Sequence, residues 1–188
     1  MIDKPSFDEK KAVQKAKKGN ASSFGLLYDH YVSKIYRFVF VKVMSRQDAE
    51  DICQQVFLSA WQNIRAYEEV GFPFSSWLYR IARNAVIDFY RLRRPTVNIE
   101  NIEPLLADYS DASFAIEQGL AVERILRAVA RLTDEQREVV VMKFVEDLDN
   151  EEIARALEKN EGAVRVLQHR ALENLKKFVA DADRIREA

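Results

Sequence analysis

The stretch LTDEQREVVVMKFVEDLDNEEIARALEKNEGAVRVLQHRALENLKK, residues Leu132 to Lys177, decides the fold. Thr133-Asp134-Glu135-Gln136 is a capping-box pattern: the threonine hydroxyl accepts from a first-turn amide and the glutamine reaches back to the cap residue's own amide. A helix therefore begins there and runs to about Val145. Asp149-Asn150-Glu151-Glu152 repeats the signal, and a short connection, Glu158 to Asn160, leads into a longer helix that carries basic residues. Two helices so joined outline a helix-turn-helix. On the longer one, Val164, Leu167, Ala171, Leu175 and Phe178 form an apolar stripe. Gly162, Arg165, Val166, His169, Glu173 and Lys176 centre on the opposite side, with Arg170 at its flank. Arginine and histidine near a helix start that itself favours phosphate suit a recognition helix in a major groove, although a helix pair with a short turn is also ordinary bundle packing.

Upstream, Phe114 to about Arg131 is amphipathic through Ile116, Leu120, Val122, Ile125, Leu126 and Val129. Before it, Pro95 to Gln118 contains two prolines, five acidic residues and no basic one, the composition of an acidic linker. The overall charge of −1 conceals this division: Met1 to Arg94 is +6, Pro95 to Gln118 is −5 and Gly119 to Ala188 is −2.

The N-terminal part reads as helices throughout. Asp8 to Lys18 ends at Gly19-Asn20, and Ser22 to Met44 places Phe24, Leu27, Tyr28, Tyr31, Ile35, Phe38 and Val39 at steps of three and four. Ser45 caps a third helix reaching about Asn63, with Asp48 near the positive end of its dipole. Ile52, Val56, Phe57, Ala60 and Trp61 of that helix face a core, which leaves Asp48, Asp51, Gln54, Gln55 and Leu58 for another surface. After a loop, Ile64 to Ser75, with Tyr67, Phe72 and Phe74, a fourth helix covers Ser76 to about Arg94. Its wheel gathers Leu78, Ile81, Ala82, Ala85, Phe89 and Leu92 on one side and Arg80, Arg83, Asn84, Ile87, Tyr90, Arg91 and Arg94 on the other. A basic ladder alone is as often a solvated face. Preceded by an aromatic loop, it suits single-stranded nucleic acid, with cations for the backbone and flat side chains for unstacked bases. Trp77, at the edge of the apolar face, serves either purpose.

The expected architecture is all-α: a helical domain over residues 1–94, a linker over 95–113 and a helix-turn-helix domain over 114–188. Only 5 glycines and 4 prolines in 188 residues fit long helices, and 48% hydrophobic residues exclude a disordered chain. No apolar run approaches the roughly 18 residues of a membrane span, and MIDKPSFDEKK has no apolar leader core, so the expectation is a cytoplasmic protein without membrane insertion. Cys53 is a lone cysteine and His30 and His169 lie in distant segments, so no disulfide, metal or cofactor is expected. No phosphate-cradling glycine loop and no nucleophile with its base stand out, so no catalytic residue and no enzyme are expected.

Three stretches together, DAEDICQQVFLSAWQ (Asp48 to Gln62), FSSWLYRIARNAVIDFYRLRR (Phe74 to Arg94) and Leu132 to Lys177, resemble the sigma factors of bacterial RNA polymerase. More closely they resemble the extracytoplasmic-function (ECF) group, two-domain chains of about this length, and the resemblance covers nearly the whole chain in order. It implies an alternative sigma factor that binds core RNA polymerase, directs it to promoter DNA and assists melting. The family's Asp-Ala-Glu-Asp-apolar-x-Gln-acidic pattern falls on Asp48, Ala49, Glu50, Asp51, Ile52 and Gln54, with Gln55 at the acidic place. It implies docking on the clamp helices of the largest polymerase subunit. Phe74 to Arg94 resembles the part of the family that reads and opens the minus-ten element, where a flipped base enters a pocket made by the loop and the helix start. That implies roles at the melted strand for Tyr67, Phe72, Phe74, Trp77, Arg80, Arg83, Asn84 and Arg91. The C-terminal match implies minus-thirty-five reading by Arg165, Val166, His169 and Arg170, with Lys176 on the DNA backbone. Two departures stand out: Asp147 and Asp149 occupy places where glycine and a serine-like cap are common, and Glu158-Lys159-Asn160 replaces a turn that often has glycine. The resemblance also admits an anti-sigma protein as partner. The alternatives are a polymerase-independent helix-turn-helix regulator, which leaves the Asp48 pattern and the basic ladder without a task, and an interaction module that keeps the surfaces without the melting.

Overall fold

The computed structural model of the chain describes residues 7–68, 73–92 and 125–186, with side chains up to Asp181. The N-terminal lobe begins with α1 (Glu9–Lys17), capped by Asp8, whose carboxylate accepts from the Lys11 amide at 3.0 Å. The helix stops because Gly19 turns into the left-handed region at φ 88° and returns its amide to Ala16 O at 2.8 Å. Asn20 then caps α2 (Ala21–Val43) through the Ser23 amide at 2.8 Å, and left-handed Met44 ends it. Ser45 caps α3 (Arg46–Asn63), as its spacing from Asp48 predicts, and one 3-10 turn (Ile64–Ala66) follows.

The next helix, α4 (Phe74–Leu92), begins two residues before the Ser76 start expected from the sequence. The reason is in the serines: Ser75 and Ser76 send their hydroxyls to Glu152 instead of capping, and both are buried inside the first turn. Phe74, expected in the loop, is 2% exposed and belongs to the core with Leu27, Ile35, Phe38 and Val56. Each such side chain contributes about 1.5–3 kcal/mol on burial.

In the C-terminal lobe, residues 125–130 are helical. They are followed by α5 (Asp134–Val140), a π turn (Val141–Val145), α6 (Asn150–Ala156) and α7 (Glu161–Arg186). The helix expected to run unbroken to Val145 therefore widens at its end, the Glu146 amide bonding Val141 O five residues back at 3.0 Å. The linker at 95–113, the start of the helix expected at Phe114, and Phe72 lie outside the described residues. Both capping boxes form. At Asp149 the Glu152 amide donates to the aspartate at 2.7 Å and the Asp149 amide to Glu152 Oε2 at 3.0 Å. Asp149→Ala should cost about 1 kcal/mol, read as a melting point a few degrees lower. Asp147 and Glu158, where relatives favour glycine, both sit at φ 55°, the conformation a glycine would adopt without strain.

The fold is thus all-α, and no strand occurs among the described residues. The two lobes pack on one another, and buried residues of both, from Phe38 and Tyr79 to Val139, Met142 and Ile153, form one contiguous core. This corrects the wheel of α4. The apolar side was expected to include Leu92, which is 81% exposed, whereas Tyr79 and Val86 are buried because the C-terminal lobe covers a second side of the helix. No helix among the described residues is long and apolar enough to cross a membrane.

Three tyrosines are enclosed by this packing. Tyr31 donates to Glu9, Tyr90 donates to Lys42 O at 2.6 Å, and Tyr79 lies where α4 meets the C-terminal lobe. Burial pushes all three phenols above their ordinary value, Glu9 adding to the effect at Tyr31 and Glu146 at Tyr79. Burial also pushes the Cys53 thiol up to about 11. The folded chain therefore keeps protons that the unfolded chain releases above about pH 9 to 10, so this contribution to stability is complete below that range and lost as pH rises through it. The melting point should be several degrees lower at pH 10.5 than at pH 8, and Tyr79→Phe should lessen the drop.

Candidate nucleic-acid interface

The start of α4 and the chain before it enclose a pocket of about 290 Å³, lined by Tyr67, Glu68, Ser76, Trp77 and Arg80 and, from the C-terminal lobe, Arg155. Tyr67 holds its place through a T-shaped contact with Phe74 (5.7 Å between ring centroids) and a tilted one with Trp77 (5.2 Å). Lys17 donates to the Tyr67 carbonyl. Three of the residues singled out in the sequence, Tyr67, Trp77 and Arg80, thus line one cavity of aromatic walls and cationic rim. Phe74 does not: it is the buried support behind them, which corrects its assignment as a residue that touches nucleic acid in this arrangement.

The basic ladder divides. Arg80 is half exposed and lies 3.8 Å from Glu158. Arg83 is turned into the lobe interface, 3.3 Å from Glu138, whose other oxygen takes the buried Lys42 ammonium. Arg91 pairs with Asp88 at 3.1 Å on the exposed last turns. Asn84 joins neither group; it lines a groove of about 510 Å³ between α3 and α4, with Asp51, Gln55, Ile81, Asp88 and Phe89.

The acidic pattern of α3 sorts in the same way. Asp48 serves the first turn, its amide bonded to Ser45, while Glu50 pairs with Arg46 at 2.8 Å. Asp51, Gln54 and Gln55 are exposed, and Asp51 and Gln55 stand on the groove rim, so α3 presents them away from its own core of Ile52, Val56 and Ala60. On α7, Asn160 caps the helix through the Ala163 amide at 2.8 Å, and Arg165, Val166, His169, Arg170 and Lys176 are all exposed. Arg165 and His169 each lie beside a glutamate on the same helix face, Glu161 at 2.8 Å and Glu173 at 3.6 Å.

The sequence reading missed the residues that join the lobes. Arg37 grips Glu146 through two bonds of 2.9 Å each, and the Ser75 hydroxyl donates to Glu152 at 2.7 Å. The available signal was a charge placed against apolar neighbours, Lys42 inside FVFVKV and Glu138 ahead of VVVM.

Comparison with known proteins follows the same division. The family described as Sigma-70 region 2 matches residues 27–96, and Sigma-70, region 4 matches residues 122–175. The chain is 35% identical over 171 residues to the ECF RNA polymerase sigma factor BldN of Streptomyces coelicolor, covering 90% of this chain and 65% of that protein. It is 31% identical over 185 residues to the ECF RNA polymerase sigma factor SigW of Bacillus subtilis, covering 92% and 97% respectively. Among solved structures, CnrH in complex with the cytosolic domain of CnrY shares the fold at a TM-score of 0.72 and 24% identity, over 93% of this chain and 98% of that one. The sigma factor RpoE of Bartonella quintana, solved in complex with the anti-sigma factor NepR, shares it at 0.64 and 19% identity, over 84% and 96%.

Proposed function

Because this chain belongs to the extracytoplasmic-function sigma factors of RNA polymerase, we propose that its two lobes divide promoter recognition between them. The N-terminal lobe docks on core polymerase through Asp48, Glu50, Asp51, Gln54 and Gln55 and receives an unstacked base of the minus-ten element at the pocket of Tyr67, Trp77 and Arg80. The C-terminal lobe reads the minus-thirty-five element in the major groove with Arg165, Val166, His169 and Arg170. The observation that carries the reading is that pocket: it joins aromatic faces to a guanidinium at the start of α4. Unstacking a base costs a few kcal/mol and stacking on an aromatic side chain returns about 1–3 kcal/mol, so melting proceeds without a nucleotide fuel when polymerase supplies the remaining contacts.

The protein is on this account a cytoplasmic regulator of initiation and not an enzyme. With the helix-turn-helix lobe near neutral, its own phosphate attraction is weak, and promoter occupancy depends on core polymerase linking the contacts of both lobes. The anti-sigma partner of the Bartonella relative supports an inhibitory partner of the same kind here.

Run-off transcription tests the proposal: the protein is added to sigma-free core polymerase on fragments of its own genome, and transcript 5′ ends are sequenced. New start sites sharing two spaced upstream elements are expected. Core binding without new starts would sink the promoter-reading role, and no core binding would leave a free helix-turn-helix regulator as the account.

A further inference from the structure

We propose that the C-terminal lobe is a built-in lid on the nucleic-acid face of α4, latched by the carboxylates of Glu138, Glu146 and Glu152, so that the free chain is closed and must open to engage DNA. The occlusion rests on the reading of α4 as the minus-ten reader; the latch rests on the contacts alone. Where a nucleic acid would bring phosphates, the C-terminal lobe brings carboxylates. Glu138 takes Lys42 and Arg83 together, and the side chains of Lys42 and Glu138 are each 4% exposed. Glu146, 0% exposed, accepts the paired bonds of Arg37. Glu152 accepts from Ser75 with its side chain and from Ser76, at 3.2 Å, with its carbonyl.

These contacts connect residues up to 109 positions apart and leave Arg83 and Ser76 covered on the face that would meet the melted strand. Arg155 stands in the mouth of the Tyr67 pocket from the lid side. The pairs are sealed from solvent, so added salt screens them little. Their energetics favour a switch over a permanent joint. A buried ion pair roughly balances desolvation against attraction, while loss of one partner leaves a bare charge that is relieved when the lobes part and water enters. Removing the carboxylates therefore shifts the balance between closed and open chains without touching the core of either lobe. Core polymerase, by holding each lobe at a separate site, would open the lid in the same way.

The test uses the full chain with Glu138→Gln and Glu146→Gln, read by small-angle X-ray scattering and by anisotropy of a fluorescein-labelled, mixed-sequence single-stranded DNA. The variant should show a larger radius of gyration and about tenfold tighter DNA binding, as expected where only about one wild-type chain in ten is open. Arg37→Glu should open the lid as well, and Arg37→Glu combined with Glu146→Arg should close it again, a rescue that misfolding would not give. An unchanged radius in both opening variants overturns the latch. An expanded variant whose DNA affinity equals that of wild type overturns the occlusion. Expansion with no DNA binding by any form leaves the latch standing and removes the minus-ten reading instead.

Discussion

Asp51→Arg should weaken capture of core polymerase by at least about a hundredfold while moving the melting point by no more than about 2 °C. Asp51 is exposed on α3, on the rim of the groove shared with α4, and its side chain supports neither the helix caps nor the core. A surface change of this kind alters stability by about 0.5 kcal/mol or less. Against a basic partner surface, however, it replaces an attraction by a like-charge contact, a swing of several kcal/mol, and a hundredfold loss corresponds to about 2.7 kcal/mol. Titration of labelled protein with core polymerase, beside a thermal melt of the same preparations, checks both halves. Unimpaired capture would move the docking surface away from α3. The neighbouring Gln55 supplies a graded companion: Gln55→Glu restores the acid found in the family pattern and should tighten capture slightly.

Trp77→Ala with Arg80→Ala should lower transcription from duplex promoters by about ten- to a hundredfold, and from promoters already melted over the minus-ten region by only a few fold. Both residues line the pocket beside Tyr67, and Trp77 is packed edgewise against Tyr67 and Phe74. On a duplex, the binding energy of a captured base must offset unstacking; on an open template that cost has already been met. Loss of about 1–3 kcal/mol of stacking is therefore felt most where strand opening is still required. Equal loss on both templates would mean that the pocket contributes to binding and not to opening. Core capture by the same variant, which leaves α3 intact, serves as the control.

The parts of the fold governed by short-range chemistry were legible in the sequence. Ser45, Thr133, Asp149 and Asn160 each cap a helix through an amide three residues ahead, within the reach of a local pattern. The buried stripe of α7 follows for the same reason, Val164 and Ala171 being fully enclosed. What escaped depends on distant residues. Nothing near Ser75 or Ser76 announces that their hydroxyls belong to Glu152, and without that partner they read as caps, which displaced the start of α4. Tyr79 looked peripheral because a single wheel assumes one buried face, and α4 has two. Leu92 failed in the opposite sense, since the last turn of the helix extends past its packing partners. At the candidate site, residue types and their spacing identified the aromatic and cationic groups, but only the three-dimensional packing separates Phe74, a support, from Tyr67 and Trp77, which line the cavity.

The widened turn at Val141–Val145 sets the angular phase of everything that follows it on that helix. In an uninterrupted α-helix, positions eight apart such as Glu138 and Glu146 stand about 80° out of line. Accommodating one additional residue in the turn takes back about 100° and brings them to within roughly 20° of a common meridian. Two acids that an ideal helix would point to different neighbours thus face the same one, where Lys42, Arg83 and Arg37 receive them. Deleting a single residue between 141 and 145 would keep every charge in the chain and still dissolve the alignment. The spacing of these two glutamates is therefore meaningful only together with the irregularity between them.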